Sequence, residues 1–111
     1  MKRVLFLCGK NRLRSPTAEQ IFSARPDLDV TSAGLSQDAD IPVTPELLVW
    51  AEIVFVMERV HRQKLSARFQ RHLKGKKVIC LDIPDDYEFM GPKLILLLQA
   101  RVPRHLPSES I

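Results

Sequence analysis

Cysteine is scarce in this 111-residue chain, and Cys8 and Cys80 are the only two. Such a count excludes the disulfide framework of a small secreted scaffold and a four-cysteine metal cage. Long hydrophobic runs are missing as well. Met1-Lys2-Arg3 precedes only the apolar stretch Val4 to Cys8 before Gly9 intervenes, too short for a signal-peptide core or a membrane span. One Trp and one Tyr offer little aromatic surface for stacking on bases. Charge of one sign does not dominate either: 17 Lys and Arg against 13 Asp and Glu leave a net +4. That excess suits anionic partners, phosphorylated substrates among them. The dense cations Arg59, Arg62, Lys64, Arg68, Arg71, Lys74, Lys76 and Lys77 fall mostly on one amphipathic stretch and read as a solvated helix face. The expectation is a cytoplasmic protein with reduced thiols, no membrane association and no nucleic-acid partner.

With 45% apolar and 27% charged residues, the composition is that of a globular chain, and its length suits one domain spanning 1–111. Val4-Leu5-Phe6-Leu7 is an unbroken apolar run, the mark of a strand buried on both faces. A polar loop follows, and Ser15-Pro16 reads as a helix start, Ser15 as cap and Pro16 at the first helical position, with Pro26 beyond the end. Residues 29–33 form a second strand, Thr44-Pro45-Glu46 starts a short helix, and 53–57 is a third strand. A basic helix from Glu58 to His72 leads to a fourth strand at 77–81 and a last helix from Pro92 to about Arg101. Four buried strands alternating with four helices predict an α/β fold, a four-stranded parallel sheet with helices on both faces.

In open α/β sheets ligands bind beyond the carboxyl ends of the strands. The loop after the first strand runs Cys8-Gly9-Lys10-Asn11-Arg12-Leu13-Arg14-Ser15. Inward-facing backbone N–H groups make an anion nest, to which a helix N-terminus adds its unpaired amides. Gly9 supplies backbone freedom for the turn, and Asn11 suits a left-handed or turn conformation. Arg14 offers a planar fork for two phosphate oxygens. Nearby positive potential favours the thiolate of Cys8, and a thiolate facing a bound phosphate is placed to form a phosphocysteine intermediate. Ser15 can cap the helix, or donate to the Cys8 sulfur. Five residues between Cys and Arg let the loop circle one tetrahedral anion.

The stretch Leu7-Cys8-Gly9-Lys10-Asn11-Arg12-Leu13-Arg14-Ser15-Pro16-Thr17-Ala18-Glu19 resembles the phosphate loop of the low-molecular-weight protein tyrosine phosphatases, of which this would be a short member. Ser32-Ala33-Gly34 resembles that family's second-strand end, and Ala51-Glu52-Ile53-Val54-Phe55-Val56-Met57-Glu58 its third strand. The resemblance implies a flavodoxin-like topology, phosphotyrosine as substrate, and a metal-independent, cofactor-free mechanism. Laid on the family's Asp-Pro-aromatic acid loop, Asp85 takes the place of the general acid, Asp86 stands where Pro is usual, and Tyr87 supplies an aromatic substrate rim. Asp82 and Asp86 are rival acids, since three carboxylates in five residues repel one another and favour a protonated member. Departures are Lys10 where the family usually has Gly, Leu13 where many members have a second Cys, and a segment between Gly34 and Pro45 that is shorter and lacks a helix.

The leading expectation is therefore a cysteine-dependent phosphomonoesterase acting on a phosphotyrosine protein or a small phosphomonoester, with Cys8, Arg14 and Asp85 catalytic and residues 9–15 holding the phosphate. A phosphate- or phosphoprotein-binding module without turnover is the alternative. An arsenate reductase-like oxidoreductase is a further one, although no third Cys exists to pass on a disulfide. His61, His72 and His105 show no metal spacing and no tie to Cys8, and read as helix-surface residues. Cys80 reads as core, or as a resolving thiol, and Trp50 as packing.

Overall fold

The computed structural model of the chain describes residues 1–107. Strands β1 (Lys2–Cys8), β2 (Leu28–Gly34), β3 (Ile53–Val56) and β4 (Lys77–Cys80) form one parallel sheet in the order β2-β1-β3-β4. Helices α1 (Arg14–Phe22), α2 (Pro45–Trp50), α3 (Arg59–Phe69) and α4 (Pro92–Arg101) connect and cover them. The expected parallel sheet with helices on both faces is what the chain adopts.

The run Val4–Leu7 carries no polar alternation because each face of β1 meets its own core. Val4, Phe6 and Cys8 point to the side covered by α1 and α4, where Ala18, Phe22, Leu94 and Leu98 pack. Leu5 and Leu7 point to the other, where Leu48 of α2 and Leu65 of α3 are fully buried. Phe6 stacks between Phe22 and Phe55, with ring centroids 5.7 Å and 5.1 Å away. Successive strand residues alternate faces, so a strand with two cores reads as continuously apolar.

Parallel register brings the strand ends to one edge. Cys8 pairs with Gly34, while Leu7, Val56 and Cys80 lie in one row across the sheet. The loops leaving β1, β2, β3 and β4 therefore converge there. Residues 35–43 hold no helix among them; they turn back so that Pro42 bridges Gly34. Gly34 is the tight point. A Cβ at this position would lie 2.6 Å from the Ala39 Cβ and 2.7 Å from the Gly9 carbonyl oxygen. Gly34→Ala should thus destabilise the protein by about 1–3 kcal/mol in urea unfolding, because two backbone loops must separate.

One helix start differs from the sequence-based expectation. Arg14 opens α1 after Leu13, and Leu13 makes no side-chain cap. Ser15 is inside the first turn, and Pro16 is the third residue. First-turn amides have no intrahelical partner, so Pro16 forfeits nothing there, while the Ser15 hydroxyl is drawn elsewhere. At α2 the expectation holds, since the Thr44 side chain accepts from the Leu47 N–H at 3.2 Å. The basic helix is shorter than expected and passes into a 3-10 turn at Gln70–His72. Among the described residues no helix is long and apolar enough to cross a membrane.

Candidate active site

The loop 8–15 is shaped from outside by the loop 35–43. The carbonyls of Cys8, Gly9 and Lys10 accept the N–H groups of Leu35, Ser36 and Asp40 at 2.9, 2.8 and 3.1 Å. With three carbonyls fixed outward, the amides of Gly9, Lys10, Arg12 and Leu13 are left with no protein acceptor among the described residues. An array of unpaired N–H groups is an anion nest. Asn11 takes φ +57°, the left-handed turn conformation its type tolerates. Gly9, by contrast, is outside the positive-φ region. Its freedom is not what the turn uses; a Cβ there would instead stand 3.8 Å from His61 Nε2.

Cys8 is 3% exposed at the floor of a cleft of about 240 Å³, lined also by Gly9, Lys10, Arg12, Leu13, Arg14 and Asp85. Its Sγ accepts the Asn11 N–H at 3.2 Å and lies 3.0 Å from the Ser15 Oγ. Ser15 Oγ in turn accepts from Asn11 Nδ2 at 3.0 Å, which also donates to Ser32 Oγ at 2.9 Å. Ser32 donates to Glu19. With one lone pair of Ser15 occupied, its proton is directed to the sulfur or to the Ala33 carbonyl, 3.4 Å away. That network is why Ser15 caps nothing.

Arg14 is 5% exposed. Its Nη1 donates to Glu58 Oε2 at 2.7 Å and to the Ile83 carbonyl at 2.8 Å. Its Nε stands 3.8 Å from Asp85 Oδ1. The charge of a buried guanidinium is met by a carboxylate and a carbonyl, both fixed by the ends of β3 and β4. Ile83 is itself anchored, its N–H donating to the Met57 carbonyl at 2.8 Å.

Of the three acid-loop aspartates, only Asp85 lines the cleft with Cys8. Asp82 takes φ +53° and turns away. Its carboxylate is 3.4 Å from Cys80 Sγ and 3.7 Å from Arg59 Nε, beside a separate cavity with Arg101, Arg104 and His105. Asp86 is exposed. Tyr87, expected at the rim, is half-buried and packs on the α1/α4 core rather than lining the cleft.

Glu58 and His61 escaped sequence reasoning. His61, expected on a helix surface, is 5% exposed. Its Nδ1 accepts the Glu58 N–H at 3.2 Å and its Nε2 lies 3.7 Å from Glu58 Oε2. Burial first, then the Arg14 charge, push the imidazole below its usual pKa. A neutral ring accepting at Nδ1 carries its proton on Nε2, on the side of Glu58 and the loop. The signal available was position alone, since Glu58 and His61 follow directly on the third strand.

Cys80 is on β4, with β3 between it and β1. Strand spacing places it roughly 10 Å from the Cys8 backbone, beyond disulfide reach. Burial pushes its thiol above the usual pKa. His72 and His105 edge onto Phe69 and Phe55 at 6.4 and 6.0 Å. Trp50 packs against the α2/α3 core. Among the described residues, no group of three His, Cys, Asp or Glu side chains could hold a metal ion.

No protein-family model and no curated protein matches the chain. Solved structures do. The low-molecular-weight protein tyrosine phosphatase SP-PTP from Streptococcus pyogenes superposes with a TM-score of 0.79 at 17% identity, over 98% of this chain and 96% of that one. The tyrosine phosphatase Wzb from Escherichia coli K30, in complex with phosphate, gives 0.77 at 21% identity over 94% and 95%. A YwlE arginine phosphatase mutant with a phosphorylated active-site serine gives 0.67 at 23% identity over 95% and 99%. The chain has the fold of the low-molecular-weight protein tyrosine phosphatases.

Proposed function

We propose that this chain is a metal-independent, cytoplasmic phosphomonoesterase of one domain that hydrolyses aryl phosphates, phosphotyrosine foremost, through a phosphocysteine intermediate. One observation carries the reading: Cys8, Arg14 and Asp85 share a single cleft above a loop in which the amides of Gly9, Lys10, Arg12 and Leu13 have no protein acceptor among the described residues. Nη1 of Arg14 is occupied by Glu58 and Ile83, so Nε and Nη2 remain to grip the phosphate. The fold is shared with proteins described as tyrosine and arginine phosphatases, one of them holding phosphate and one phosphorylated at its active-site residue.

The chemistry takes two displacements. The Cys8 thiolate attacks phosphorus, an S–P bond forms, and the P–O bond to the leaving group breaks. Asp85 in its acid form gives that oxygen a proton. Water then attacks the phosphocysteine, Asp85 as carboxylate removes the water's proton, and the S–P electron pair returns to sulfur. The Ser15 hydroxyl, 3.0 Å from that sulfur, stabilises the departing thiolate.

Hydrolysis of p-nitrophenyl phosphate in the presence of a chelator tests the reading, with phosphotyrosine and phosphoarginine as companion substrates. Turnover inhibited by inorganic phosphate is expected; its absence across a pH series from about 5 to 7 would favour a phosphate-binding module. Asp85→Asn should lower kcat about 100- to 1000-fold with phenyl phosphate. The loss should be smaller with p-nitrophenyl phosphate, whose leaving group needs less protonation. An unchanged rate would hand the acid's role to Asp82 or Asp86.

A further inference from the structure

Lys10 and Arg12 line the cleft, yet their charged ends are turned out of it. Lys10 Nζ donates to Asp38 Oδ2 at 2.8 Å. Arg12 Nε donates to Asp40 Oδ1 at 3.1 Å and its Nη2 to the Asp38 carbonyl at 3.4 Å. Ser36 donates to the other Asp38 oxygen. The Lys10 bond, then the Ser36 bond, hold the Asp38 carboxyl down to about 2. The loop carrying both aspartates is pinned by backbone bonds to Cys8, Gly9 and Lys10, so the pairing has a fixed seat. With the Lys10 and Arg12 heads paired to Asp38 and Asp40, which are not among the residues lining the cleft, its wall beyond Cys8, Gly9 and Arg14 is completed by the apolar Leu13 and by Asp85.

We propose that Asp38 and Asp40 determine specificity by keeping the Lys10 and Arg12 charges off the cleft mouth, which selects phosphomonoesters whose leaving group bears no second negative charge. The inference rests on the phosphatase reading for its substrate but not for its electrostatics. A second anion beside the phosphoryl group would meet Leu13 and Asp85, and could recruit Lys10 or Arg12 only by breaking their existing pairs. The selectivity is one of repulsion and withheld attraction.

Binding of phenylphosphonate and 3-carboxyphenylphosphonate, measured by calorimetry, tests this without requiring turnover. The wild type should prefer the uncharged ring by roughly five- to tenfold at low salt, and the preference should shrink in 0.5 M salt, as expected for exposed pairs. In Asp38→Asn/Asp40→Asn, asparagines of matching shape, the preference should close or invert. In a Lys10→Gln background the Asp38→Asn change should shift the ratio no further, because Asp38 acts through Lys10. A ratio unmoved by the double substitution, insensitive to salt, or shifted equally with Lys10 absent overturns the proposal. Should the double variant melt early, Asp40→Asn alone and the wild-type salt series decide it. Failure of the wild type to hydrolyse any ester while the ratio behaves as stated would strike the phosphatase reading and leave this one standing.

Discussion

Cys8→Ser should cut p-nitrophenyl phosphate turnover by a factor on the order of 10⁴–10⁶ while leaving the inhibition constant of inorganic phosphate within a few-fold of wild type. Both halves follow from what surrounds the sulfur. Among the described residues, the groups within hydrogen-bond reach of Sγ are the Asn11 N–H and the Ser15 hydroxyl. Both donate to an anion, and neither is a base that could take a proton from a serine hydroxyl. A thiol ionises far more readily than an alcohol, so the variant retains the cup and loses the nucleophile. The nest itself is made of backbone amides, fixed through carbonyls bonded to Leu35, Ser36 and Asp40, none of which the substitution touches. Steady-state kinetics with phosphate inhibition separate the two effects. Retained turnover would mean that sulfur is not the attacking group; lost phosphate binding would mean that the cup is not an anion site.

Arg14→Lys should lower kcat/KM by about 10³-fold, although the formal charge is kept. The guanidinium does two things at once in the structure. Nη1 is held by Glu58 Oε2 and the Ile83 carbonyl, and the rest of the fork faces the cleft beside Asp85. A lysine ammonium on a flexible stem cannot satisfy those two anchors and also meet two phosphate oxygens. A lysine that reaches for the phosphate leaves the buried Ile83 carbonyl short of a donor, and stability should then fall by about 1–3 kcal/mol. Thermal unfolding alongside kinetics would reveal the shared origin. A variant within tenfold of wild type in kcat/KM would place the phosphate grip on the backbone amides alone.

How much of this was legible in the sequence follows from what kind of interaction fixes each part. Strands such as Val4–Leu7 and Ile53–Val56 were readable because burial on both faces leaves an unbroken apolar run. The left-handed Asn11 was readable because few side chains tolerate that conformation. The start of α1 was misread for a physical reason. Ser-Pro is a helix-start signature only while the serine hydroxyl is free, and here Ser15 serves the Cys8 sulfur and Asn11. His61 was misread because a helix facing two loops buries polar residues that periodicity assigns to solvent. The roles of Glu58, Asp38 and Asp40 rest on contacts 28 to 44 residues apart in the chain, for which a single sequence carries no signal. Asp85 was reached through resemblance; it lines the cleft with Cys8, whereas Asp82 lies beside a separate cavity.

Whether phosphate passes through the Cys8 sulfur is decided by rapid acid quench of wild-type protein mixed with p-nitrophenyl phosphate, followed by mass spectrometry of the peptide containing residues 8–12. The expected result is a transient phosphoryl group on Cys8, accumulating with a burst of p-nitrophenol and decaying with turnover. Turnover with no phosphopeptide at any time, or with phosphate on another residue, would contradict it.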